Sequence, residues 1–370
     1  MRPLLAVLLS ALLASAAMAD EAVAGKTHIL MSSPQNAFWV PLDGGPVQQI
    51  YPGYGVATNV ATDGERFLIA NGAQVISLYE EGALQPLHSI ELDDSGPQSR
   101  SYATWDGSRY VVAWMRPDSN IHVATLSPEG TLIAKVRLDT GINISGLVAN
   151  GDRLLLLEEA VLPPFNPGRR RLRAILLNHD LQITRISTLG EVPELFVVDG
   201  SSFQHVAGAV PFGDGFYVAW HQEMTAFGQR TDDSKIVGTR INRDGDSLDL
   251  RERIEGDQQI LEGRTLVDNV PEAFDTDLVN MGDYVVAVVK RENYVTKAPL
   301  TATFITPDGF PLSSRKLADV ELQDDRRTRL EVVRLRDGRT VAVSVVDFKP
   351  EIIPLDTSLA KPPRRRAVRQ

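Results

Sequence analysis

The sequence of 370 residues contains no cysteine. Disulfides, thiolate zinc sites, iron–sulfur clusters and cysteine nucleophiles are excluded by that one absence. Helical periodicity is scarce as well: few stretches repeat apolar residues three and four apart. Beyond the N-terminus no segment reaches the roughly 20 apolar residues that a spanning helix needs. The G-x-S-x-G elbow, the Walker loop, the glycine-rich dinucleotide fingerprint and the H-E-x-x-H zinc pattern are all missing. So is the Ser-x-Asp-x-Gly-x-Thr-Trp box of sialidases. Positive charge is not in excess either, and a formal net charge of −10 at pH 7 argues against general nucleic-acid binding.

What is present begins with "MRPLLAVLLSALLASAAMA". One Arg, an apolar stretch from Leu4 to Ala14 and the small-x-small pattern Ala17-Met18-Ala19 have the build of a secretory signal peptide. Cleavage is expected after Ala19, which makes the protein periplasmic or extracellular. The division expected is a signal peptide over 1–19, a single domain over 20–359, and a basic, disordered tail over 360–370.

The mature chain alternates apolar and polar residues around Gly-centred turns, the pattern of an all-β protein. It also repeats itself. "ATWDGSRYVVAW" and "VPFGDGFYVAW" share one grammar with "VATDGERFLIA", "LVANGDRLLLL", "LVNMGDYVVAVV" and "VRLRDGRTVAVSV". Each is an apolar strand, a Gly/Asp turn, an anchor and a second strand. The anchors are Phe67, Tyr110, Leu154, Tyr217, Tyr284 and Val341, spaced by 43, 44, 63, 67 and 57 residues. Most segments are followed by a second hairpin with turns such as "LSPEGTL" and "ITPDGFPL". Four antiparallel strands every 40–50 residues or so are the signature of β-propeller blades. Strand counting gives five complete blades from Val56 to Glu321. A sixth would be closed by strands from both termini, which leaves no open edge. Six is therefore the expected count; if each terminus builds its own blade, it is seven.

The stretch "DGSRYVVAW…IHVATLSPEGTLI" resembles the blade repeat of exported bacterial β-propeller repeat proteins. In that repeat Asp-Gly, an aromatic, Val-Val and Trp precede a strand ending in Ser-Pro-Asp-Gly. Residues 101–137 match best, and the segments around Tyr217 and Tyr284 match in part. Those around Leu154 and Val341 lack the Trp and match only in pattern. The resemblance implies a fold and an exported location. It carries over no catalytic residue.

In such a ring the short A–B and C–D turns occupy one face, and the B–C and D–A connections the other. The long connections here all fall on the second face: "EEAVLPPFNPGRRRLR", "HQEMTAFGQRTDDSK", "KRENYVTKAP" and "EGDQQILEGRTLVDNVPEAF". Function concentrates in loops held on a rigid scaffold, so this is the expected ligand face. Its rim is expected to include Arg100, Tyr102, Arg116, Glu158, His205, His221, Glu223, Glu272, Asp275, Arg291 and Arg329. Mixed charge there suits a protein or polar ligand. His221 with Glu223 is the best acid–base candidate. Arg169, Arg170, Arg171 and Arg173, in "GRRRLR", are candidates for contact with an acidic partner or an anionic headgroup. No cofactor or metal site is expected. "NRDGDSLD" fails the EF-hand spacing and reads as a turn, although a channel calcium held from separate blades is compatible with the sequence.

The reading that results is an exported scaffold that binds a protein partner or polar ligand through its long-loop face, with no pattern that requires catalysis. Two alternatives stand beside it. One is a lactonase-like propeller hydrolase with a metal or acid–base site at the channel mouth. The other is a cell-envelope assembly component that touches the envelope peripherally without spanning it.

Overall fold

The computed structural model describes residues 22–32, 36–50, 58–71, 75–92, 101–115, 120–139, 143–161, 169–193, 208–226, 229–255, 258–270, 274–291, 298–320, 330–346 and 349–359. They form seven antiparallel blade sheets, which follow one another along the chain, and one two-stranded hairpin sheet inserted into the fifth. Blade 1 contains β1 (Ala22–Ala24), β2 (His28–Ser32), β3 (Ala37–Pro41) and β4 (Gln48–Ile50). Blade 2 contains β5 (Thr58–Thr62), β6 (Arg66–Asn71), β7 (Val75–Glu80) and β8 (His88–Glu91). Blade 3 contains β9 (Ser101–Trp105), β10 (Tyr110–Met115), β11 (Ile121–Leu126) and β12 (Leu132–Leu138). Blade 4 contains β13 (Asn143–Asn150), β14 (Arg153–Val161), β15 (Arg169–Leu177) and β16 (Ile183–Pro193). Blade 5 contains β17 (Gly208–Phe212), β18 (Gly215–Ala226) and β19 (Gln229–Ile241). An inserted hairpin of β20 (Arg251–Glu255) and β21 (Gln258–Glu262) precedes its outer strand β22 (Arg264–Val270). Blade 6 contains β23 (Phe274–Asn280), β24 (Val285–Arg291), β25 (Ala298–Ile305) and β26 (Arg315–Val320). Blade 7 contains β27 (Glu331–Arg334), β28 (Thr340–Val346) and β29 (Lys349–Leu355).

Both faces of each blade are buried, so its second strand is apolar on both sides. In β10, Val112 and Trp114 pack toward blade 2 while Val111 and Ala113 pack toward blade 4. The turn before that strand is set by its own Asp. Asp106 Oδ1 accepts the N–H of Ser108 and of Arg109, both at 2.9 Å, while Gly107 takes the left-handed φ of 99° that the corner requires.

Seven hydrophobic clusters fill the seven junctions between neighbouring blades. The ring therefore closes by side-chain packing. At the seam, Val333, Val341, Val343 and Val345 of blade 7 pack on Ile29, Met31, Phe38 and Val40 of blade 1. This corrects the expected six blades with a composite closing blade. Each terminus builds its own sheet, because β1 to β4 already pair among themselves and have no open place for a C-terminal strand between them.

Six junctions are also tied on the short-turn face, where the C–D corner of one blade meets the blade before it. Glu81 Oε1 of blade 2 accepts the Thr27 and His28 N–H groups of blade 1 at 2.6 and 2.8 Å. Glu129 meets Arg66 at 3.4 Å. The Arg109 guanidinium donates to the His179 carbonyl. Arg243 meets Asp152 at 3.1 Å, and Arg240 Nη1 donates to the Pro307 carbonyl at 3.1 Å. Tyr284 Oη donates to the Thr357 carbonyl at 2.9 Å. A rigid, latched base thus carries the opposite face.

Candidate functional site

Much of what reads as loop on the second face is strand. In blade 5, β18 and β19 run 12 and 13 residues, twice the six of β10 and of β11. Their pairing continues to Ala226 opposite Gln229. The inner strand β17 stops pairing at Ala219, and the outer strand β22 at Ser234. Beyond those points the hairpin rises, among the described residues, as two strands alone. Blade 4 rises with it: β14 pairs with β15 to Val161 opposite Arg170, and β16 follows β15 to Pro193 opposite Arg169. The stretch read as a D–A loop after blade 5 holds β21 and the whole of β22. β21 lies against β16, so the inserted hairpin braces the outer edge of blade 4.

The Arg run of blade 4 therefore sits on a strand. Arg173 stands opposite Glu158 in the register, and the two side chains form an ion pair. Glu158 is fully buried and Arg173 about one-quarter exposed, at 26%. A buried carboxylate needs such a partner, since an unpaired charge would cost several kcal/mol or roughly that order. The pair fixes one guanidinium at the raised end of β15. Arg169, Arg170 and Arg171 lie in β15 by backbone, and their side chains lie outside the described residues.

Of the other rim positions, Tyr102 is nine-tenths buried and packs in the core between blades 3 and 4. His221 and Glu223 lie in β18, opposite Ile236 and Ser234. Asp275 lies in β23 opposite Lys290, and Arg291 in β24 opposite Phe274. The side chains of these four fall outside the described residues, as do Arg100, Arg116, His205, Glu272 and Arg329 altogether. Among the described residues no three His, Asp or Glu side chains gather as metal ligands would.

Sequence reasoning passed over several polar groups that the fold uses. Asn59 Oδ1 accepts the Ala103 N–H at 2.8 Å, and Asp277 Oδ2 accepts the Val332 N–H at 2.7 Å. Both residues sit on inner strands, and each ties its blade to the next. His122 stacks on Trp114 with ring centroids 5.5 Å apart, while Lys135 Nζ lies 5.3 Å from the same indole and donates to the Leu92 carbonyl at 2.7 Å. Their signal would have been the position in the blade, three residues before the strand end for Asn59 and Asp277.

No protein-family model and no curated protein matches the chain. Solved structures do. A chain of a mitotic checkpoint complex superposes with a TM-score of 0.52 at 10% identity, over 92% of this chain and 88% of that one. BamB from Moraxella catarrhalis superposes at 0.49 and 12% identity, over 92% and 96%. The Cps50 (Swd1) β-propeller domain of Myceliophteria thermophila does so at 0.49 and 10%, over 90% and 95%. At such identities the likeness is one of fold.

Proposed function

We propose that the protein is an exported scaffold that binds a protein partner through the face carrying the raised hairpins of blades 4 and 5. The carrying observation is the length of β18 and β19, which pair to Ala226 and Gln229, well past Ala219 where the inner strand stops and beyond Ser234 where the outer strand stops. Such an extension carries backbone pairing beyond the four-stranded part of the blade. A paired backbone of this kind is a rigid scaffold, which lowers the ordering cost of binding. The Arg run of β15 beside it favours a partner that presents an acidic surface. Export is the part of the proposal that rests on residues 1–19.

Site-specific photo-crosslinking in cells that make the protein tests this. A crosslinking residue at Met224 in blade 5 or at Ala160 in blade 4 is expected to trap a partner, and one at Asp214 or Asp283 on the short-turn face is not. Replacing residues 223–234 by Asn-Gly, a two-residue hairpin turn, is expected to remove the adduct formed from blade 4 while moving Tm by less than about 2 °C. Adducts from the short-turn face alone, or adducts that persist in the shortened variant, would overturn the reading.

A further inference from the structure

Blade 7 stops one strand short. Among the described residues the other six blades have four strands and this one has three, so β29 is its outer edge. That edge contains Pro350 and Pro354, opposite Val345 and Val341 of β28. A proline has no N–H, so it fits an antiparallel ladder only where its backbone faces away from the neighbour. Residues two apart face the same way. Pro350, Ile352 and Pro354 therefore turn their backbones to the open side. The edge offers three carbonyl oxygens and a single N–H, that of Ile352. Two copies of this edge would set acceptors against acceptors, so it is poorly made for pairing with itself. It is made for a strand rich in donors.

The chain leaves the blade in position to supply one. Asp356 and Ser358 at the C–D corner accept from Arg315 Nη2 at 2.5 and 2.7 Å, and Thr357 accepts from Tyr284, which fixes the corner against blade 6. In the other blades this corner leads into the outer strand. Leaving aside blade 5, where the inserted hairpin intervenes, it does so after as few as five residues in blade 3 (127–131) and as many as nine in blade 6 (306–314). The same spacing after Leu355 ends between residues 360 and 364. There the sequence reads Pro362-Pro363 and then "RRRAVRQ", Arg364 to Gln370. Those seven residues contain four Arg and no Pro, so each has an N–H to give. Charged residues on an outermost strand also bar further pairing.

We propose that Arg364–Gln370 docks on β29 as the fourth strand of blade 7, donating N–H groups to the carbonyls of Pro350, Ile352 and Pro354. The sequence by itself reads this segment as a disordered tail; the acceptor-rich edge is what gives it a place.

Amide hydrogen exchange on the full chain tests the proposal, read at two protein concentrations and at low and about 0.5 M NaCl, where charge pairing is screened. Several amides within 364–370 are expected to exchange at least about tenfold more slowly than in an unstructured chain. That protection should be equal at both concentrations and survive salt. The double variant Ala367→Pro/Val368→Pro should lose it and expose the Ile352 amide. Exchange at unstructured rates overturns the proposal. Protection that vanishes in salt means a tail held by charge alone, and protection that grows with concentration means a strand lent by a second copy. Either result also overturns it.

Discussion

Leu181 has a backbone φ of 61° in a region that L-residues rarely enter. It ends the turn whose N–H to Asn178 carbonyl bond matches that of Gly130 to Ser127, Gly245 to Asn242 and Gly309 to Thr306. Those blades put glycine at the corner, and blade 4 puts a leucine that is 3% exposed and packs in the core with blade 3. Burial outweighs the strain, since a buried Leu contributes about 2–3 kcal/mol and the left-handed turn costs about 1 kcal/mol. Leu181→Ala keeps the strain and loses the packing, whereas Leu181→Gly loses the packing and sheds the strain. Urea denaturation is expected to find both variants below wild type, with the Gly variant above the Ala variant by about 1 kcal/mol. The reverse order would mean an unstrained corner. Asp106 gives a second case. Burial pushes its carboxyl up, but Arg109 and the N–H and O–H donors of Ser108 and Arg109 outweigh burial and hold it below the usual range. A carboxyl depressed in the folded state contributes fully above its unfolded value of about 3.9, and that contribution is lost as pH falls through the folded value. Asp106→Asn is therefore expected to cost about 3 kcal/mol at neutral pH and clearly less near pH 3 or so. A gap that stays constant with pH would remove the carboxylate from the account.

At the scale of elements, the anchors differ in what their hydroxyls do. Tyr110 Oη donates to the Arg66 carbonyl at 3.0 Å and accepts the Asp63 N–H at 3.2 Å, tying blade 3 to the turn of blade 2. Burial, with Asp63 nearby, raises its pKa, so the phenol stays neutral across the working range. Tyr110→Phe is expected to lower stability by about 1 kcal/mol, measured by urea denaturation, with the far-UV spectrum unchanged. A neutral substitution would show that the latch is passive. The second strand of blades 2 to 7 was legible because one grammar, turn then anchor, precedes each of them. Blade 1 was not, because its A–B turn has no Asp of its own. The Glu81 carboxylate of blade 2 holds that turn from outside, and the large aromatic, Trp39, sits on the third strand instead of the second. The loops of blades 4 and 5 misled for a different reason. Polar two-stranded hairpins that project into solvent lack the apolar alternation that marks a buried strand. Glu158 and Arg173 share that limit: they are 15 residues apart in sequence, and only the β14–β15 register reveals them as a pair.

At the scale of the molecule, seven junctions of similar kind close a ring, and among the described residues the seam between blades 7 and 1 carries no shared strand. Its strength is that of Phe38, Ile29 and Met31 against the valines of β28. Phe38→Ala is expected to cost about 3–5 kcal/mol. Because every blade leans on two neighbours, the loss should lower one common transition seen alike by tryptophan fluorescence and by circular dichroism. A separate early melt confined to the terminal blades would instead make the seam an independent unit, as in an open solenoid. The raised face bears on what the molecule does; the arrangement of the chain bears on how such a molecule comes to exist. Among the described residues no blade borrows a strand from another blade, so the gene can treat a blade as a single word. Copying or losing that word adds or removes a whole wedge, and no neighbouring wedge is left with a missing strand.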